Sequence, residues 1–241
     1  MREFLFISLC IPLLIQAMSV EAGWFGTDFS AEVVVGTTES KEKRGNMYVG
    51  AGRVRTEIGM GEQQLIEIID PAKGVAWVLD VGSKSYQERI VPKVTATTVT
   101  QSPCEGVAGA ECRALPEETI NGRRCNKWML RFNGKERVQW NDALHGFPVQ
   151  VVESGQVVMA MVFIAEETLN GRHVERWRAL QHTEGRVTET EQWYDPQLNI
   201  AIRQQEKNGS FRELRNIRLG PQADALFELP KGYSSQKAVA R

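Results

Sequence analysis

The chain has 241 residues, with 29 Lys+Arg against 30 Asp+Glu and an apolar fraction of 42 %. A balance this close to neutral gives no electrostatic reason to expect nucleic acid or an anionic membrane surface as a partner. The length suits one large β domain or two small ones.

The first residues read as an export signal. Arg2 supplies a short positive start, FLFISLCIPLLIQA (Phe4 to Ala17) is an almost unbroken apolar run, and Val20-Glu21-Ala22 places small residues before a cleavage point at Gly23. The run is too short for a comfortable transmembrane span, and no later segment is long and apolar enough for one. Residues 1–22 are therefore expected to be a signal peptide, and the mature protein to be exported and soluble, with no stable membrane insertion. No Cys follows the small residues, so a lipid anchor is not indicated. Losing Arg2, Glu3 and Glu21 takes Lys+Arg from 29 to 28 and Asp+Glu from 30 to 28, which leaves the mature chain neutral.

From Trp24 onward the chain keeps the period of strands. SAEVVVGTT, NMYVGAG and RVRTEI come first, then QLIEIID, a turn at Pro71–Gly74, VAWVLD, a turn at Gly82–Lys84, and SYQERIV. Short runs rich in Val, Ile, Thr and aromatics, spaced by Gly, Pro, Asp and Ser, are a β-meander signature. The only helical hint is a brief one at Ala223–Phe227. Residues 93–116 differ, being Thr-rich and then rich in Gly, Ala and Pro. They are expected to connect a first meander (about 29–92) to a second region (117–233).

Cys10 leaves with the signal, so Cys104, Cys112 and Cys125 remain. Three cysteines in an oxidising compartment allow one disulfide. PCEGVAGAEC (Pro103 to Cys112) closes easily into a small loop, which makes Cys104–Cys112 the preferred pair. Cys125 is then left free, and its pairing with Cys104 or Cys112 is the alternative.

The second region repeats itself. ETINGRRCNKW begins at Glu118 and ETLNGRHVERW at Glu167, 49 residues later. Asn-Gly at 121–122 and at 170–171 is the strongest short hairpin signal, because both residues accept positive φ. Each copy reaches a Trp (Trp128, Trp177), then a second Trp with an Asp two residues on (Trp140 and Asp142; Trp193 and Asp195). An apolar strand and a Gly turn follow (Gly155, Gly209). In KWMLRFN, Trp128, Leu130 and Phe132 share one face, with Lys127, Met129 and Arg131 opposite. VVMAMVFI (Val157–Ile164) does not alternate, so both of its faces are apolar and the second needs protein, ligand or partner against it.

Several of these stretches together resemble a known group. They are IIDPAKGVAWVLDVGSKSYQE (68–88), the ETINGRRCNKW opening, the Trp-x-Asp steps, and the ending NIRLGPQADALFELPKGY (216–233). They resemble periplasmic families related to the lipoprotein carriers LolA and LolB, most closely a domain-of-unknown-function branch with the same Phe-x-x-Pro-x-Gly-Tyr ending. The resemblance covers most of residues 29–233. It implies a periplasmic, all-β protein with a strongly curved antiparallel sheet, a half-barrel of LolA/LolB type, as a single domain over 23–241. It also implies an apolar concave surface that in the carriers holds acyl chains. The chain departs from the carriers in having no clear amphipathic helices to lid that surface.

Chemistry-bearing motifs are sparse. His145, His173 and His182 show no HExxH spacing, no paired Cys ligands and no carboxylate–His cluster along the sequence, so neither a metal nor a cofactor is expected. No G-x-S-x-G elbow or phosphate loop occurs. Glu117-Glu118 and Glu166-Glu167 are neighbours on strands and point to opposite faces, which suits hairpin ends better than an acid/base pair. An enzyme is not expected.

The ligand-binding candidates are therefore apolar: Trp77, Trp128, Phe132, Trp140, Met159, Met161, Phe163, Trp177 and Trp193. Aromatics give large contact area and Met adapts to a variable ligand; the same residues could equally fill a core. The sequence points to a non-catalytic protein that holds a lipid, an acyl chain or a lipidated partner. The alternative is an envelope protein–protein interaction or sensor module.

Overall fold

The computed structural model describes residues 26–37, 40, 42–60, 63–91, 93, 102–104, 107–183 and 185–236. The expected signal peptide lies outside these residues. Among them, no helix is long and apolar enough to cross a membrane.

The first meander consists of β1 (Phe29–Gly36), β2 (Lys43–Gly50), β3 (Arg53–Met60), β4 (Gln63–Asp70), β5 (Val75–Asp80) and β6 (Ser85–Ile90). The second runs through β7 (Glu111–Ile120), β8 (Arg123–Phe132), β9 (Lys135–Asp142), β10 (Pro148–Glu153) and β11 (Gln156–Leu169). It continues as β12 (Arg172–Thr183), β13 (Arg186–Asp195), β14 (Ile200–Glu206) and β15 (Phe211–Leu219), and the short β16 is Ser234–Ser235. Among the described residues, sixteen strands form one open sheet, ordered β16-β6-β5-β4-β3-β2-β1-β15-β14-β13-β12-β11-β10-β9-β8-β7. Among the described pairings only β16–β6 is parallel. The chain thus starts mid-sheet, walks out to β6, resumes at the opposite edge as β7, and walks back until β15 pairs with β1. That one pairing joins the two meanders.

β7 begins at Glu111, inside the stretch read from sequence as connecting. As an edge strand it is exposed along most of its length, so it lacks the alternation that marks a half-buried strand.

Turn chemistry explains the hairpins. At Asn121-Gly122 (φ 51° and 79°) and Asn170-Gly171 (φ 51° and 76°) both residues are left-handed, as a type I′ turn requires. The wider turns use a carboxylate. Oδ1 of Asp70 accepts the backbone N–H of Lys73, and Oδ1 of Asp80 accepts those of Gly82 and Ser83. Asp142 does the same for Leu144 and His145, and Asp195 for Gln197 and Leu198. An Asp that closes its own turn needs no partner from elsewhere in the fold.

The main core draws on strands from β5 to β12. Phe29, Val33, Met47, Val49, Ile202 and Leu214 all belong to it and are buried. Among the described residues no second layer of strands faces them; the sheet covers them by curling on itself, and the face that carries them is the inner one. The other face of the first meander is covered by the C-terminal segment. A 3-10 turn at Asp224–Phe227 drops Phe227 onto Ile66, Ile68 and Leu79, and β16 then docks beside β6. The expected helical hint is that turn.

Cys104 and Cys112 form a disulfide with Cα atoms 5.7 Å apart, and Cys125 is free and buried.

Candidate functional site

The repeat is a unit of side-chain bonding as well as of sequence. In the first copy, Trp140 Nε1 donates to Glu118 (2.8 Å), Lys127 pairs with the same carboxylate, and Arg123 Nε donates to Asp142 (2.8 Å). In the second, Trp193 Nε1 donates to Glu167 (3.0 Å), Arg176 pairs with that carboxylate, and Arg172 donates to Asp195. Every partner is the counterpart of the first. Cys125 and Val174, which share one place in the two copies, are both fully buried. The paired glutamates divide as strand geometry requires, with Glu117 beside Arg124 and Glu166 beside His173 rather than beside their neighbours' partners.

The copies part at one point. Three residues after the turn-closing Asp, the second copy has Leu198, fully buried, and the first has His145. His145 Nε2 lies 3.1 Å from Glu175 Oε1, and Trp177 Nε1 also donates to Glu175. Arg123 Nη1 sits 3.7 Å from the same carboxylate, with its guanidinium over the Trp177 and Phe163 rings. Phe147 and Tyr194 close over His145. A carboxylate–His cluster therefore exists in space where the sequence showed none. Its members come from four strands and a turn, and no linear spacing reveals them.

Burial works to raise the carboxyls of both Glu175 and Asp142. The His145 bond for Glu175, and the Arg123 and turn N–H bonds for Asp142, outweigh it and hold both below the ordinary carboxylate range. Burial pushes the Cys125 thiol and the Tyr194 phenol up. The cluster locks the Asp142–Gly146 turn against β12. Among the described residues, no group of three or more His, Cys, Asp or Glu side chains is placed to hold a metal ion. His173 and His182 are exposed.

The nine apolar candidates do not form one group. Trp140, Met161, Phe163 and Trp177 meet in a cluster with Phe147 and Tyr194. Trp193 belongs to the main core, its ring under Arg203. Trp77 packs beneath the C-terminal segment and donates to Glu88. Trp128 and Met159 are half-buried, and Phe132 is 41 % exposed at a hairpin tip. Two open surface clefts, of about 260 Å³ beside Arg123 and Asp142 and about 440 Å³ beside Arg113 and Met129, are lined by none of the nine.

The most distinctive apolar feature is β11. Residues 157–164 are uninterruptedly apolar, yet none of the eight is buried: Val157 is exposed and the rest are partly so. Elsewhere the strands of this half grade from wet at the hairpin tips to buried at the Asp turns, as in β9 and β13.

A strongly curved, open, all-β sheet is thus the class of fold. Among solved structures, the chain is similar to a LolA superfamily protein of Nitrosomonas europaea (11 % identity, 84 % of this chain and 90 % of that one, TM-score 0.41). It is similar also to an outer membrane lipoprotein-sorting type domain of Vibrio parahaemolyticus (13 %, 88 % and 93 %, TM-score 0.35). A third is a DUF1329 family protein of Desulfovibrio piger (14 %, 87 % and 91 %, TM-score 0.31). These are the kinds of protein that the sequence motifs resemble. At such identities and TM-scores the likeness concerns strand arrangement and specifies no activity. No family model matches the sequence, and no curated protein matches it.

Proposed function

We propose that the protein is an exported, periplasmic, non-catalytic binding module that holds an apolar, lipid-like ligand or a lipidated partner against the curved sheet. The observation that carries this reading is the unburied apolar run of β11. Eight apolar side chains left part-wet mid-sheet cost free energy that contact with a ligand would recover, at about 25 cal/mol per Å² covered. Met159, Met161 and Phe163, which are directly paired with Gln181, Ala179 and Trp177 on β12, are the proposed contact residues. Trp77 and Trp193 are assigned to the core.

Titration with an environment-sensitive fluorescent fatty acid tests the reading. Wild-type protein should bind it, and Met161→Glu should weaken binding while leaving the fold intact. Absence of binding by the wild type, or unchanged binding by the variant, would overturn it.

The second reading, docking of another polypeptide, has the open edge β7 in its favour. Pro116 and the register irregularity between Leu115 and Glu118 count against it, because both blunt an edge against strand addition.

A further inference from the structure

Both copies of the repeat end in the same turn, and only one of the two turns is filled. Asp142 and Asp195 hold one place in the two copies, as do Arg123 and Arg172, Leu144 and Gln197, and His145 and Leu198. Each Asp takes the Nε of its Arg and closes its turn on two backbone N–H groups. Gly146 and Asn199, next in line, are both left-handed, at φ 80° and 56°. The two turns therefore share one backbone shape.

In the second copy the turn is covered twice. Gln197 reaches across it, and its Oε1 accepts Arg172 Nη2 at 2.9 Å. The segment that leads into β1 then lies against the turn. Gly26 N–H donates to Leu198 O at 3.1 Å, and Thr27 Oγ1 donates to Gln197 O at 3.3 Å. The approach is close enough to require glycine, since a Cβ at Gly26 would stand 2.5 Å from Gln197 O.

In the first copy all three contacts are missing among the described residues. Leu144 stands at the place of Gln197, carries no side-chain oxygen, and is 68 % exposed. Arg123 Nη2, the counterpart of the atom that Gln197 satisfies, is buried without a hydrogen-bond partner. No described residue donates to the carbonyls of Leu144 and His145. The cleft of about 260 Å³ lies at this place, lined by Gly122, Arg123, Arg124, Asp142, Ala143 and Leu144. A buried donor is seldom left without an acceptor in a folded protein.

We infer that this cleft is a docking site for an extended segment of a partner polypeptide, which supplies from outside what Gln197, Gly26 and Thr27 supply within the second copy. The segment that fits has a glycine followed by a threonine or serine, for the two turn carbonyls. It also has an asparagine or glutamine whose amide oxygen accepts Arg123 Nη2. An amide suits this place better than a carboxylate. Arg123 already faces Asp142 and Glu175, and they would repel a third negative charge. The inference is independent of the ligand proposed for β11, because the cleft shares no residue with that site.

Panning a phage-displayed library of random peptides on the wild-type protein, followed by fluorescence anisotropy of the selected peptides, tests the site. Leu144→Gln is the closing variant. It gives the first copy the side chain that fills the second, at an exposed position where folding is not at stake. The selected peptides should share a Gly-Thr or Gly-Ser pair with a nearby amide residue. Their affinity should fall about tenfold or more in Leu144→Gln. Fatty-acid binding should be the same in both proteins, so failure of this site leaves the β11 reading standing. No enrichment of peptides, selected peptides with no common sequence, or equal affinity for wild type and Leu144→Gln would overturn the docking site.

Discussion

Replacing Asp142 with Asn tests whether the repeated unit is a packing device. The carboxylate is 1 % exposed, takes Arg123 Nε at 2.8 Å, and takes the backbone N–H groups of Leu144 and His145 at 2.9 Å each. The amide keeps one oxygen for the turn but turns an NH2 toward the guanidinium, so a donor meets a donor. A hydrogen bond to a charged group contributes about 1.5–3 kcal/mol, and breaking one side of a buried pair costs about 3–5 kcal/mol. Because Arg123 retains Glu175 at 3.7 Å, a loss of about 2–4 kcal/mol is expected. Asp195→Asn should cost a similar amount, since it faces Arg172 and its own turn N–H groups in the same way. Urea unfolding followed by tryptophan fluorescence measures both. The pH dependence has a definite sign. Asp142 is held below its ordinary value, so its stabilisation is complete above the unfolded pKa, about 4, and fades as pH falls through the folded one. The gap between wild type and variant should therefore narrow from about pH 7 toward about pH 2. A cost under about 1 kcal/mol in either variant at neutral pH, or a gap that does not narrow in acid, would refute the reasoning.

Two further outcomes follow from the fold. Phe227→Ala removes a fully buried ring from between Ile66, Ile68 and Leu79; a loss of about 3–5 kcal/mol is expected, with early proteolytic cleavage of the C-terminal segment. Cys112→Ser opens the loop closed by a disulfide with a sequence separation of 8; thermal unfolding should report a loss of about 2–3 kcal/mol. In the wild type, Cys125 should be alkylated only after denaturation.

Much of the fold was legible because its turns carry their own chemistry. Asn121-Gly122 and Asn170-Gly171 dictate hairpins whatever surrounds them, and Trp140 and Trp193 lead into Asp turns that close locally. The disulfide was legible from the small residues between its cysteines. What escaped the sequence depends on neighbours distant along the chain. His145 and Glu175 lie 30 residues apart on different elements, and only laying the first copy on the second shows the clue, a His where the other copy has Leu198. β7 hid because an edge strand wet along most of its length has no alternation to read. The nine apolar candidates share a residue type, and type does not separate Trp193 in the core from Met161 on a part-wet strand; burial does.

The central claim is that the curved sheet holds an apolar, lipid-like ligand. Native mass spectrometry with lipid extraction, on protein purified gently from the cells that make it, tests it most directly. The account predicts a co-purifying compound with an acyl chain, lost from Met161→Glu. Protein that arrives empty from the wild type and also fails to take up a fluorescent fatty acid would contradict it.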